Sequence, residues 1–201
     1  MNSRQTRFEN PARLEELRPR ETLERIGLQE NDVLSDIGAG SGVFTIPAAK
    51  MIRNTVLALE IQEELLALIA EKAQSEGLRN IELIKVSDNN LPVRDNSVDI
   101  VLLVTVLHEI TEPAVFLEEV KRLLKNRGKL AVIEFHKRQT PMGPPLAQRL
   151  SREEVKELLS QRGFVVQEDF DLGDNFYCLV FLKDEDPEYM IKRLDIEAGG
   201  N

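Results

Sequence analysis

Val33-Leu34-Ser35-Asp36-Ile37-Gly38-Ala39-Gly40-Ser41-Gly42 decides how this chain is read. Apolar residues run into an aspartate, glycines then alternate with small residues, and a helix-like stretch begins at Gly42. Such an apolar run suits a strand buried on both faces of a parallel sheet. Glycines at the strand's end let the backbone turn tightly and approach a ligand closely. The helix that follows offers free N–H groups at its N-terminus. The segment therefore predicts a nucleotide-type site at the carboxyl end of a first strand.

Working outward, the chain alternates strand and helix patterns. Strands are expected at 32–37, 55–60, 81–86, 98–104 and 129–135. Helices are expected from Gly42 to Met51, over 62–76 with Leu65, Leu66, Ile69 and Ala73 on one face, and over Pro113–Lys125. Asn126 to Gly128 are expected to turn the chain. Ser151-x-x-Glu154 is a capping-box signature for a helix over 152–162. Two last strands, 164–170 and 176–183, are joined by a Gly-Asp-Asn turn too short for a crossover helix, which makes them antiparallel. The result is an α/β fold: a Rossmann-like, seven-stranded, mostly parallel sheet with helices on both faces and an antiparallel last strand. Residues 1–18 form an N-terminal segment placed to fold over the site as a lid, 19–183 the main domain, and 184–201 an acidic C-terminal tail.

Composition bounds the function. The 201 residues suit one domain of ordinary size. No apolar run approaches the roughly 20 residues of a membrane span, and no secretory signal is apparent, so a cytoplasmic location is expected. One cysteine permits neither an internal disulfide nor a multi-cysteine zinc site, and no metal is expected. The net charge of −9 disfavours nonspecific nucleic-acid binding. The tail is expected either to pack against the core or to mediate self-association, as in a homodimer.

Five strand ends are expected on one rim, where open α/β sheets bind ligands. The first carries Asp36, Gly38, Gly40 and Gly42, and the second carries Glu60, suited to accept both hydroxyls of a ribose. The third brings Ser87-Asp88-Asn89, the fourth Val104-Thr105-Val106-Leu107-His108-Glu109, and the fifth Glu134-Phe135-His136. The glycine spacing departs from the G-x-G-x-x-G of dinucleotide sites.

It resembles motif I of the class I S-adenosylmethionine (SAM)-dependent methyltransferases, D/E-x-G-x-G-x-G. Ser87-Asp88-Asn89-Asn90-Leu91-Pro92, followed by Asp95-Asn96-Ser97-Val98-Asp99-Ile100-Val101, resembles the G-D-A-x-x-L-P-F-x-D-x-S-F-D-x-V stretch of the small-molecule, ubiquinone/menaquinone-biosynthesis-like (type 11) group. Leu107-His108-Glu109 resembles its L-H-H, and Phe116 to Gly128 its following helix and turn. The resemblance covers roughly residues 20–183. It implies S-adenosyl-L-methionine as cofactor and a small-molecule methyl acceptor. Asp36 and the glycines would hold the methionine end and Glu60 the ribose. Ile61 would cover the adenine, with Asp88 and the Asn89 backbone at its amino group. The Val104 carbonyl would accept from the ammonium. Arg13, in the N-terminal segment, is read either as a partner of the cofactor's carboxylate across that lid or as a solvated surface arginine.

His108 is read either as a general base or as a group that shapes the pocket. His136 is read as a loop residue ahead of a substrate-facing one, Glu109 and Glu134 as solvated or structural ahead of alternative bases, and Met142-Gly143-Pro144-Pro145 as a pocket wall or a plain loop. A non-catalytic SAM-binding or partner-binding protein of the same fold would be expected to lose the glycine loop or the acid at position 60, and both are present. A nicotinamide enzyme would want the other glycine spacing and a larger catalytic domain.

Overall fold

Strands buried on both faces need apolar side chains in both directions, and the central strands supply them. In the computed structural model of the protein, residues 8–87 and 90–183 are described. The acidic tail read at 184–201 and the pair Asp88–Asn89 lie outside them. The strands are β1 (Leu34–Ile37), β2 (Val56–Glu60), β3 (Ile81–Lys85), β4 (Val98–Val104), β5 (Leu124–Phe135), β6 (Phe164–Leu172) and β7 (Phe176–Lys183). They form one sheet in the order β3-β2-β1-β4-β5-β7-β6. The pairs β3-β2, β2-β1, β1-β4 and β4-β5 are parallel, while β7 runs antiparallel to both β5 and β6.

Among the described residues, six α-helices cover the sheet: α1 (Pro11–Leu17), α2 (Pro19–Ile26), α3 (Thr45–Met51), α4 (Glu63–Ser75), α5 (Pro113–Leu123) and α6 (Arg152–Ser160). Alternate residues of each central strand face opposite layers, as the two-residue period of a strand requires. Val101, Leu103, Leu130 and Val132 pack with Phe116, Leu117 and Val120 of α5 and Leu159 of α6. Ile100, Leu102, Ala131 and Ile133 face Leu17, Leu23, Phe44 and Ala48 on the other side. Ile69 and Ala73 of α4 cover Ala58 of β2 beside them. The Ser151–Glu154 capping box is present at the start of α6.

Two boundaries differ from the sequence expectation by more than two residues. The helix after the glycines starts at Thr45, because Gly42 sits at φ +82° and a left-handed residue cannot open a right-handed helix. The turn expected at Asn126–Gly128 lies inside β5. Val98 pairs with Leu124 and Ile100 with Lys129, so the extra residues bulge out of the ladder, with Arg127 at φ +60° absorbing the kink. The sheet order reverses between β1 and β4, which splits the connections to opposite sides and opens a crevice at their carboxyl ends.

Candidate active site

The glycine loop fills the base of that crevice. Gly38, Gly40 and Gly42 all have positive φ, where a side chain is strained. A Cβ on Gly38 would also stand 2.5 Å from Val106 Cγ2. Gly38 and Ala39 donate their N–H groups to the Leu59 carbonyl, which ties the loop to the end of β2. Asp36 is buried beneath the loop and accepts a 2.6 Å hydrogen bond from Thr45 Oγ1. Burial, with a smaller push from the Glu60 charge, raises its carboxyl to about 6.

Glu60 closes the second strand and is itself buried. Its Oε2 accepts from Gly40 N–H at 2.9 Å. Its Oε1 accepts from the N–H groups of Ile61 and Gln62. The acid thus stitches the glycine loop to the β2 terminus and also lines the cavity. The Ile61 side chain stands outward and is 61% exposed at the cavity wall, unusual for an isoleucine. At the end of β4, Val104 lines the cavity and Thr105 follows at φ +56°, a strained conformation for a β-branched residue.

Beyond β4 the chain makes a 3-10 turn, Leu107–Glu109. His108 Nδ1 lies 2.8 Å from Glu134 Oε2, and the His108 backbone N–H donates to Glu134 Oε1 at 3.2 Å. The side chains are 4% and 1% exposed. Glu134 is therefore a buried partner of His108, an arrangement that the residue-by-residue sequence reading missed. A signal was present: an acid between Ile133 and Phe135, in the apolar run that begins at Leu130, needs a hydrogen-bonding partner.

The N-terminal segment lies across this rim. Phe8 approaches the side of Gly40 that a Cβ would occupy. Arg13 Nη2 donates to Thr105 Oγ1 at 3.1 Å, and its guanidinium lies 5.4 Å from the Phe176 ring centre. Lys72 of α4 pairs with Glu9 and donates to the Ser41 carbonyl at 2.6 Å.

Together these residues enclose a cavity of about 710 Å³. Gly38, Gly40, Glu60, Ile61, Val104, Arg13 and His108 line it, with Phe8, Val106, Ile110, Phe116 and Phe135 as its apolar wall. Asp36 and Gly42 stand outside this lining, Asp36 bordering a small adjoining recess beneath the loop. Asp88 and Asn89 lie outside the described residues, although Ser87 beside them lines the cavity. His136 also stands outside the lining, with Nε2 3.0 Å from Asp171 but out of hydrogen-bond alignment. Met142 to Pro145 do not line it either; Gly143 backs Phe135, whose ring forms the wall. Among the described residues no group of His, Cys, Asp and Glu is placed to hold a metal, and no helix is long and apolar enough to cross a membrane.

Comparison with known proteins gives concordant findings. Residues 35–132 match the model of a methyltransferase domain family. The ubiquinone/menaquinone biosynthesis C-methyltransferase UbiE of Escherichia fergusonii is 30% identical over 129 residues, covering 63% of this chain and 50% of that protein. The chain thus spans about half the length of the curated relatives it matches. A crystal structure of a SAM-dependent methyltransferase from Aquifex aeolicus is 31% identical with a TM-score of 0.83, covering 91% of this chain and 100% of that one. The [4+2]-cyclase SpnF shares the fold alone, with a TM-score of 0.74 at 20% identity over 84% of this chain and 81% of that one.

Proposed function

Because this chain belongs to the class I SAM-dependent methyltransferases of the type 11 group, whose cofactor is S-adenosylmethionine, we propose that it transfers the cofactor's methyl group to a small-molecule acceptor in the rim cavity. The observation that carries this reading is one continuous space that joins the glycine loop and Glu60 to a histidine-lined, largely apolar end. A cavity of about 710 Å³ lies within the usual range for cofactor and small-ligand sites.

The residues fit the cofactor's chemistry. Glycines at positive φ leave open backbone where a side chain would stand. Glu60 accepts three N–H donors. A carboxylate has about four acceptor positions, so capacity remains for a ribose hydroxyl. Ile61 offers an exposed branched face for the adenine. Asp88 and Asn89 are assigned to the adenine amino group from the family motif. Asp36 and the glycines hold the methionine end, the Val104 carbonyl takes the ammonium, and Arg13 takes the carboxylate with Thr105 steadying its guanidinium. Residues 8–17 close over the cofactor as a lid. The bound sulfonium supplies an electrophilic methyl group; the protein supplies alignment and a dry enclosure.

Calorimetric titration with SAM, S-adenosylhomocysteine and NADH tests the reading. Saturable binding of both adenosyl-sulfur compounds and none of NADH is expected. Glu60→Ala should weaken that binding on the order of 10-fold or more while the chain stays folded, since it removes charge-assisted acceptors and frees the loop. Absence of binding by both compounds would overturn it.

A further inference from the structure

We infer that His108 and Glu134 form a proton-accepting pair at the acceptor end of the cavity, and that the acceptor is a protic nucleophile (a hydroxyl, enol or thiol) that arrives carrying its proton. The inference rests on the methyl-transfer reading and narrows its substrate class.

Glu134 is costly to bury. Its side chain, near the carboxyl end of β5, is 1% exposed, and burying a carboxylate is unfavourable unless charged or polar partners compensate. Both of its oxygens are spent on one residue: Oε2 on His108 Nδ1 at 2.8 Å and Oε1 on the His108 N–H at 3.2 Å. A histidine needed only to shape a wall is satisfied by any carbonyl. A buried carboxylate is what an imidazolium requires, because it stabilises the charge that arrives with the proton.

The two bonds also fix the ring. With Nδ1–H donating to Glu134, the basic lone pair is on Nε2, and the ring lines the cavity among Val106, Ile110 and Phe116. Phe135 meets the ring edge-on, with centroids 6.5 Å apart. Among the described residues, two carboxylates face the imidazole: Glu134 from β5, and Glu109 on its own turn with Oε1 3.8 Å from Nε2. Glu60, Lys85, Arg13 and Glu112 line the rest of the cavity.

The step balances. The acceptor's proton moves to His108 Nε2 as its electron pair forms the bond to the methyl carbon. The pair of the broken carbon–sulfur bond stays on sulfur as the thioether, and the imidazolium, held by Glu134, later returns its proton to water. His108 touches the acceptor; Glu134 is a positioning residue that acts through it.

The test uses three thiol and phenol probes with the full chain. Benzyl mercaptan and 4-methylphenol are protonated at pH 7; 4-nitrothiophenol is ionised there and needs no base. Methyl transfer from SAM to the first two is expected to fall on the order of 100-fold in His108→Gln, and less in Glu134→Gln. Transfer to 4-nitrothiophenol is expected to change less than about threefold, within the usual scatter of a substitution that spares the reacting groups. In the S-adenosylhomocysteine complex, ¹⁵N NMR should show benzyl mercaptan shifting Nε2 of His108 and leaving His136, the other histidine, in place. Equal losses on all three probes, turnover by the wild type of 4-nitrothiophenol alone, turnover of none of them, or an unmoved Nε2 would each overturn the pair's assignment. Calorimetry of the same proteins with S-adenosylhomocysteine separates the failures: lost binding in the wild type sinks the cofactor reading, and retained binding isolates the fault to the dyad. If Glu134→Gln does not fold, His108→Gln carries the test alone.

Discussion

Asp36 shows what one position costs for the sake of its neighbours. Burial and the Glu60 charge raise its carboxyl from an ordinary 3.8 to about 6. Below about pH 4 the folded and unfolded chains both hold the proton, and no difference arises. Between about 4 and 6 the unfolded chain releases it first, so stability falls as pH rises, and above 6 the cost is complete. Two pH units correspond to on the order of 2–3 kcal/mol. Asp36→Asn, whose amide oxygen can still accept from Thr45, should therefore raise stability at pH 8 by roughly 1–3 kcal/mol, with the gain vanishing near pH 4. Parallel urea unfolding of the two proteins at both pH values reads this, and an equal offset at both would contradict it. Cofactor binding should weaken in the same variant. The positions of Asp36 and Glu60 at strand ends were legible in the sequence, because each acid interrupts or closes an apolar run. Glu134 was not, since its meaning lies in a partner 26 residues away that only the sheet brings within 2.8 Å.

At the scale of elements, strands and helices followed from apolar periodicity, and the errors fell where backbone geometry overrides it. Gly42 and Arg127 both sit at positive φ, one delaying a helix and the other bulging a strand, and periodicity carries no signal for either. The loop after β5 was legible as a loop from Pro141, Gly143, Pro144 and Pro145, but its organiser was not. Arg149 is only 6% exposed. It donates to the carbonyls of Pro144, His136, Arg138 and Met142 and to Thr140 Oγ1. Its guanidinium also lies 5.5 Å from the centre of the Phe135 ring, part of the cavity wall. Three nitrogens in one rigid plane reach five acceptors spread along a single loop. Arg149→Met keeps the apolar stem and removes every donor. It should destabilise the protein by about 2–4 kcal/mol and speed proteolysis within 136–149, while S-adenosylhomocysteine still binds because the loop backs the wall and does not touch the glycine end. Arg149→Lys, with a single point charge, should fall between the two; a lysine variant equal to wild type in both readouts would refute the planar-fork account.

The whole molecule is a sheet assembled from distant segments, with the chain's first described residues laid across its open rim. That segment is fastened to four separate places. Phe8 meets the glycine loop, Glu9 meets Lys72 of α4, Arg13 meets Thr105 after β4, and Glu16 accepts from Asn175 N–H in the β6–β7 turn. Each polar tie is worth roughly 0.5–1.5 kcal/mol net. Their sum is a few kcal/mol, less than the stability of the sheet below, so the segment should open locally without global unfolding. Cofactor enclosed beneath it adds its own binding free energy to the closed state, about 2.7 kcal/mol at 100 times Kd. Trypsin cleavage after Arg13 needs α1 lifted and unwound. Cleavage should therefore slow on the order of 100-fold when S-adenosylhomocysteine is raised to 100 times its Kd, in the regime where opening equilibrates faster than cutting. Glu16→Gln weakens one tie far from the cofactor. It should speed cleavage of the free protein several-fold and weaken S-adenosylhomocysteine by a smaller factor, since part of the binding energy is then spent on closing the segment. Cleavage unaffected by S-adenosylhomocysteine at saturation would mean that residues 8–17 do not cover the cofactor, and that the enclosure needed for methyl transfer comes from the rim alone.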